Sequence, residues 1–291
     1  MTKEEILQKL VRDLEARGRS ESTIKRYSII TRNYKDYFDA PADQMGEQEI
    51  MAYQRHLVTE KGLNPATAND YNSALRFAYG VTLGTALNYK MVPRLKHSRR
   101  IPQLFTREDI VKIIDSAEDI CHKSMLMLAY GSGLRLSEIT NLKVSDIESS
   151  HMRILVRHGK GDRDRYALLP QATLETLREY WLAYRPKDWL FESPVKGGKY
   201  VNRTLEGAFG SALKRSGVAK QGSIHYFRHC FATHLYEDGA DLLTINMLLG
   251  HARIATTAWY IQLADRKALG FKSPIDGLQM NGWQHKAVPN A

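Results

Sequence analysis

The chain has 291 residues, of which 43% are hydrophobic, and 42 Lys and Arg face 32 Asp and Glu for a formal net charge of +10. This length suffices for one large domain or two of ordinary size, and the basic balance favours a polyanionic partner such as nucleic acid. Cys121 and Cys230 are too few for a disulfide framework, so the composition excludes a disulfide-stapled protein and suits a reducing compartment.

The first ten residues, "MTKEEILQKL", lack the features of a signal peptide. Acidic side chains stand where a basic region and an apolar stretch are needed. No apolar run approaches the ~18 residues that a membrane span requires. We therefore expect a cytoplasmic protein with no membrane partner.

Apolar periods of three and four predict helices through the first ninety residues. Such a repeat runs from Ile6 to Leu14, Ser20 is placed to cap a second helix, and a further helix is expected after Pro65. Residues 1–90 are therefore predicted to form an all-helical domain.

Residues 91–103 are predicted to be an exposed linker between two domains. Prolines stand at both ends of "MVPRLKHSRRIP", and its basic side chains follow no apolar period. A strap along the phosphate backbone of DNA is the favoured interpretation, and a solvated loop is the alternative. The predicted DNA contacts are Arg94, Lys96, Arg99 and Arg100.

Residues 104–270 are predicted to form a second domain that includes a small antiparallel β-sheet. Thr106 begins a helix, and an apolar helix follows that ends near Gly131. Two strand-like runs, 154–156 and 166–169, flank a Gly-rich turn that contains Lys160, a pattern typical of a β-hairpin. Helical periods continue to about residue 268, residues 271–291 are a C-terminal tail, and the fold class is mainly α.

The stretch "GSIHYFRHCFATHL" holds three histidines and an arginine. His225 and His229 are four residues apart, so they share one helical face, as zinc ligands on a helix do. No Glu follows His225 as in the H-E-x-x-H pattern, and Arg228 would place a fixed cation beside the metal. A metal site is therefore disfavoured, and a histidine-rich core or surface helix remains an alternative.

A different interpretation emerges when this stretch is combined with "GSGLRLSE", "HGKGD", "LLGH" and "TTAWY". Together they supply, in chain order, Arg135, Lys160, His225, Arg228, His251 and Tyr260. This ordered set resembles the tyrosine recombinase family, also called the phage-integrase family, and its wording is close to the Xer and integron-integrase branch. The resemblance covers nearly the whole chain and implies a helical, SAM-like core-binding domain followed by an α+β catalytic domain.

The chemistry of this family requires these types of residue. Cutting and rejoining DNA without a high-energy cofactor needs a covalent intermediate, which Tyr260 would supply as a 3′-phosphotyrosyl link. Arg135 and Arg228 would stabilise the charge that grows on the phosphate oxygens. The resemblance implies that Lys160 protonates the leaving 5′ oxygen.

Other residues are predicted to support this site. His225 and His251 would bind the phosphate or help to deprotonate the tyrosine. Glu138 matches the family's acidic residue there, which implies that it orients and neutralises the site and does not move protons. Arg163 and Arg165, in and beside the hairpin turn, are further predicted DNA contacts.

The resemblance implies an enzyme that recombines double-stranded DNA at specific sites. Four copies would assemble on two sites, exchanging the segment after Tyr260, and no metal or other cofactor would be required. A link to mobile genetic elements is expected. Two alternatives are a DNA-relaxing enzyme of the type IB topoisomerase kind and a non-catalytic DNA-binding accessory protein.

Overall fold

The structure, a computed structural model, describes residues 2–38, 40–41, 44–96, 102–157, 164–193 and 198–265. The chain divides into two compact units, Met1–Arg100 and Ile101–Ala291. The predicted linker at residues 91–103 spans this division.

The first unit is helical, as the apolar periods predict. Three of its helices begin at a side chain that accepts a hydrogen bond from a backbone N–H of the first turn, and these caps are Thr2, Ser20 and Asn64. Its helices are α1 (Lys3–Glu15), α2 (Glu21–Tyr37), α3 (Glu47–Thr59) and α4 (Pro65–Phe77), and α4 continues into a π-helical segment, Ala78–Leu83.

Tyrosines form the centre of this unit. Tyr34 and Tyr79 are buried, and their hydroxyl groups are hydrogen-bonded at 3.1 Å. Tyr53 packs edge-on against Tyr34, with ring centroids 5.3 Å apart. The phenols of Tyr34 and Tyr79 therefore contribute apolar area while their polar ends are satisfied inside the core.

Part of the predicted linker packs on this unit and is not exposed. Val92 is fully buried. The side chain of Asn69, on α4, donates to the carbonyl of Leu95 at 2.9 Å and accepts from the N–H of Leu95 at 2.8 Å. A buried amide thus satisfies backbone groups that no regular structure pairs.

The second unit combines helices with a three-stranded antiparallel sheet of order β1-β2-β3. The predicted hairpin is confirmed as β2 and β3, where Val156 pairs with Arg165 and Ile154 pairs with Ala167. The strand β1 was not predicted, because two residues are too few to show an alternating pattern. The strands are β1 (Ile147–Glu148), β2 (Arg153–Val156) and β3 (Arg165–Leu168).

Eight helices of this unit lie within the described residues. The first begins at Thr106, as predicted, and Thr106 forms a capping box with Asp109. The helices are α5 (Arg107–Asp115), α6 (Ile120–Gly131), α7 (Leu136–Thr140), α8 (Gln171–Tyr184), α9 (Asn202–Arg215), α10 (His225–Glu237), α11 (Leu242–Leu249) and α12 (Ile254–Ala258). A 3₁₀ turn, Trp259–Gln262, follows α12.

The turn after α6 requires a glycine. Gly133 has a φ of +60°, and a Cβ at this position would lie 2.4 Å from a ring carbon of Phe231. The chain therefore passes directly against α10 before α7 begins, which brings the start of α7 beside the middle of α10. Over the part of the chain that the structure describes, no helix has the length and apolar character needed to cross a bilayer.

Candidate active site

Glu138 lies at the centre of the site and is buried. It belongs to the first turn of α7, and Arg135 immediately precedes that helix. The backbone N–H of Arg135 donates to Glu138 Oε2 at 2.8 Å, and its Nη1 donates to Oε1 at 2.6 Å. One carboxylate therefore both caps the helix and holds the arginine side chain.

A second guanidinium binds the same carboxylate. Arg165 Nη1 donates to Glu138 Oε1 at 2.9 Å, and Nη2 donates to Oε2 at 2.8 Å. Burial would raise the pKa of Glu138, but the hydrogen bonds and charge of Arg165, followed by those of Arg135, lower this pKa to about 2. Glu138 is therefore ionised at neutral pH.

Arg228 lies in the first turn of α10 and is only 5% exposed. Its Nη1 donates to the carbonyl of Gly133 and its Nη2 to that of Leu249, both at 2.6 Å. Burial and then repulsion from Arg135 lower its pKa to about 10, so it still carries its charge at pH 7. Glu138 Oε2 lies 3.8 Å from its Nη1.

His251 follows the turn after α11. Arg228 Nη2 donates to His251 Nε2 at 3.1 Å, and because a guanidinium can only donate, Nε2 is the unprotonated nitrogen. Nδ1 lies 2.9 Å from Oγ1 of Thr257, whose hydroxyl donates to Asn246 Oδ1, so Nδ1 carries the hydrogen. Burial, followed by the charge of Arg228, lowers the pKa of His251 to about 4 and keeps the ring neutral.

Tyr260 lies in the 3₁₀ turn after α12 and is 3% exposed. Its hydroxyl is 3.3 Å from Nδ1 of His229, and its ring stacks on that of His251 with centroids 6.1 Å apart. Burial raises the pKa of Tyr260, whereas the charges of Arg228 and Arg135 oppose that rise. The phenol is therefore protonated at rest, within reach of a neutral imidazole.

His229 is itself kept neutral. Burial, followed by the charges of His225 and Arg228, lowers its pKa. His225 is the first residue of α10 and is exposed, one turn before His229. The helix thus presents one histidine to solvent and one to the tyrosine.

The structure brings most of the predicted site residues together. Arg135, Glu138, Arg228, His251 and Tyr260 form one connected cluster of hydrogen bonds, charge contacts and ring contacts. Lys160 and Arg163, like Arg99 and Arg100, lie outside the described residues.

The remaining predicted DNA contacts differ in exposure. Arg94 and Lys96 are exposed, and Arg94 donates to the hydroxyl of Ser73. The Arg165 side chain is only 10% exposed, and its Nε also donates to the carbonyl of Leu248 at 3.0 Å. Its guanidinium is directed into the protein, and its predicted contact with DNA stays a prediction.

Two contacts of the site were missed from the sequence, although signals for both exist. Arg165 alternates with Ala167 and Leu169, which are buried, so a period of two predicts that Arg165 points inward. His229 lies four residues after His225, a spacing considered above only for a metal pair. In the structure, His229 instead contacts the hydroxyl of Tyr260.

This arrangement is suited to phosphoryl transfer. It combines a tyrosine hydroxyl, neutral imidazoles and guanidinium groups fixed by a buried carboxylate, which are the groups that a covalent attack on a phosphodiester needs. The mainly helical fold, its small antiparallel sheet and this cluster define the class of DNA strand-cutting and strand-joining enzymes.

Comparisons with known proteins agree with this class. Residues 103–267 match the Phage integrase family, and residues 6–88 match the Phage integrase N-terminal SAM-like domain. A relative from Caulobacter vibrioides, named tyrosine recombinase XerD, is 34% identical over 255 residues that cover 81% of each chain. The protein belongs to the phage integrase, or tyrosine recombinase, family.

Solved structures extend the comparison to the fold. A XerA recombinase structure covers 92% of this chain and 96% of its own, with 26% identity and a TM-score of 0.54. A lambda integrase dimer bound to a core site covers 89% and 95% with a TM-score of 0.73, and at 22% identity it supports the fold alone. The chain is a tyrosine-type site-specific DNA recombinase, and these comparisons give no support to the topoisomerase-like or non-catalytic alternatives.

Proposed function

We propose that Tyr260 is the nucleophile of this recombinase. The observation that carries the proposal is its hydroxyl, buried beside His229, His251 and Arg228. The tyrosine oxygen attacks phosphorus, the bond between phosphorus and the 5′ oxygen breaks, and a 3′-phosphotyrosyl link forms. A free 5′ hydroxyl of the other DNA strand then reverses these steps and releases the enzyme.

Two protons move during cleavage. The phenol loses its proton to His229, whose Nδ1 lies 3.3 Å from the hydroxyl. The leaving 5′ oxygen takes a proton from Lys160, in line with the family resemblance. Both transfers are reversed when the strands are rejoined.

The arginines stabilise the charge on the phosphate. Arg135 and Arg228 are held by Glu138 and by two backbone carbonyls, so they need little rearrangement when phosphate arrives. His251, neutral and accepting from Arg228, fixes the direction of that guanidinium. His225, exposed at the start of α10, contacts the phosphate from the solvent side.

The substrate is double-stranded DNA with a specific recombination site. Exposed Arg94 and Lys96 contact its backbone, and four copies act on two sites in the cytoplasm. A lambda integrase tetramer bound to a Holliday junction, which shares this fold with a TM-score of 0.73 at 21% identity, supports the assembly by likeness of fold. We expect the natural substrates to belong to a mobile genetic element.

Covalent trapping tests this function. The parent and Tyr260→Phe are incubated with nicked duplexes taken from the DNA that flanks the gene, in the presence of a chelator. We expect an adduct from the parent and none from the variant. An adduct that survives in Tyr260→Phe would assign the attack to another tyrosine, and an adduct lost with the chelator would contradict metal-free chemistry.

A further inference from the structure

Arg165 connects three parts of the catalytic unit through one side chain. It starts strand β3, and its guanidinium grips both oxygens of Glu138, at 2.9 and 2.8 Å. Its Nε donates to the carbonyl of Leu248, near the end of α11. The sheet, the start of α7 and the turn that carries His251 therefore meet at this arginine.

The turn after α11 is shaped to pass against Arg165. Gly250 has a φ of +62°, and a Cβ there would lie 2.5 Å from Arg165 Cδ. His251 follows directly, and the preceding Leu249 carbonyl accepts from Arg228. The position of Arg165 thus limits where this turn, and with it His251, can lie.

Charge balance gives Arg165 a second effect. Glu138 has three arginines around it, and Arg228 Nη1 is already 3.8 Å from Oε2. While Arg165 occupies both carboxylate oxygens in a fork, Glu138 cannot close fully onto Arg228. Without Arg165, the carboxylate would pair with the same two arginines that must meet the phosphate.

We infer that Arg165 is a positioning residue that keeps Glu138 from pulling Arg135 and Arg228 out of the alignment that the transition state at the phosphate needs, and that holds the His251 turn in place. This inference rests on the proposed function. It assigns Arg165 no contact with DNA, because its side chain faces Glu138 and a backbone carbonyl and is 10% exposed.

Arg165→Met keeps much of the aliphatic stem of the side chain and removes the guanidinium with its charge and its donors. We expect adduct formation on the nicked duplexes to slow by about 10- to 100-fold, because a displacement of about 1 Å in a reacting group can cost about 100-fold. DNA affinity, measured in a Tyr260→Phe background, should be unchanged.

The salt dependence of binding separates positioning from DNA contact. Removal of a phosphate contact lowers the slope of log affinity against log salt by about 1, whereas Arg165→Met should leave the slope unchanged. Arg153→Met is the matched control, since Arg153 lies on the neighbouring strand and pairs with Glu148 away from the cluster. This control should form the adduct at the parental rate.

A second substitution tests the charge argument directly. Adding Glu138→Gln to Arg165→Met removes the carboxylate that competes for the arginines, while its amide oxygen can still accept from Arg135. We expect the double variant to form adduct at least several-fold faster than Arg165→Met alone. A merely structural role would instead give a double variant as slow as Arg165→Met or slower.

The outcomes separate the inference from the proposed function. A parent that forms no adduct overturns the proposed function and this inference with it. If the parent forms adduct, three results would overturn the inference alone. Arg165→Met could form adduct at the parental rate, Glu138→Gln could fail to speed up Arg165→Met, or Arg165→Met could lose a unit of salt slope. If Arg165→Met does not fold, Arg165→Lys, which keeps the charge and loses the fork, is measured in the same assays.

Discussion

The two units bury polar groups of different kinds. In the helical unit they include neutral amides, such as Asn69 bracketing Leu95 and Asn72 donating to Gln54 at 3.1 Å. In the catalytic unit they include charges, among them Glu138 and Arg228. A buried amide needs only its hydrogen bonds, whereas a buried charge also needs a counter-charge. Buried charges therefore cost stability, and a site that retains them indicates that they bind a ligand.

This contrast indicates what each set of residues does. The amides of the first unit close the backbone of residues 92–95 onto α4 and shape that unit. In the second unit, the positive charges of the cluster outnumber its negative charge. Three guanidinium groups, of Arg135, Arg165 and Arg228, lie around the single carboxylate of Glu138. Three cations around one carboxylate leave a positive charge that favours the binding of an anion. Substitutions in the two units can therefore separate shape from chemistry.

The largest effect is expected at Arg228. Arg228→Lys retains the charge but cannot donate at once to Gly133, Leu249 and His251. Adduct formation should fall by ~10²–10³. Arg107→Lys is the matched control, because Arg107 also donates to a carbonyl and a carboxylate but at the surface, and its adduct rate should match that of the parent.

Next in size is the pH dependence contributed by Glu138. Its pKa in the folded protein, about 2, is below its ordinary value of 4.5, so its contribution to stability is full above pH 4.5 and is lost as the pH falls toward 2. The contribution at pH 7 is about 3 kcal/mol, from 1.36 kcal/mol for each pKa unit.

Urea unfolding of the parent and of Glu138→Gln checks this dependence. The difference in their free energies of unfolding should be largest near pH 6 and should shrink between pH 4.5 and pH 3. A difference that stays constant over this range would show that Glu138 does not titrate as its contacts require. Glu148→Gln is the comparison, because the hydrogen bond of Arg153 also lowers the pKa of Glu148 but at the surface, so its pH-dependent difference should be smaller.

A smaller effect, on stability alone, is expected in the helical unit. Asn69→Ala removes both hydrogen bonds to Leu95 and should lower the free energy of unfolding by about 1–3 kcal/mol. The adduct rate at saturating DNA should not change, because the amide shapes the unit without touching the chemistry. Asn33→Ala, on the exposed side of α2, is the control. It gives the same gain in helix propensity without the loss of the two hydrogen bonds.

Much of the fold follows from local signals in the sequence. Caps such as Ser20 and Thr106, the end of α6 and the β-hairpin were predicted because each depends on neighbouring residues. Helix α3 lies in the stretch predicted to be all-helical, although no bounds were predicted for it. The two-residue strand β1 was missed, because it is held by tertiary pairing with β2.

The residues of the site also include some that the sequence predicts and some that it does not. The order of Arg135, Arg228, His251 and Tyr260 was predicted from the family resemblance, and the structure places them in contact with one another or with Glu138. The pairing of Arg165 with Glu138 was not predicted, because a charged residue beside a basic turn suggests the surface and Glu138 is 27 residues away in the chain. The period of two that Arg165 shares with buried Ala167 and Leu169 signals that it points inward, but its pairing with Glu138 depends on tertiary structure.

The most direct test of the account maps the tyrosine that is linked to DNA. The adduct trapped from the parent on nicked duplex is digested with protease and nuclease, and the peptide that carries the nucleotide is sequenced by mass spectrometry. The account predicts a nucleotide on Tyr260, within the peptide that contains "TTAWY". A nucleotide on Tyr226, Tyr236 or any other residue would contradict it.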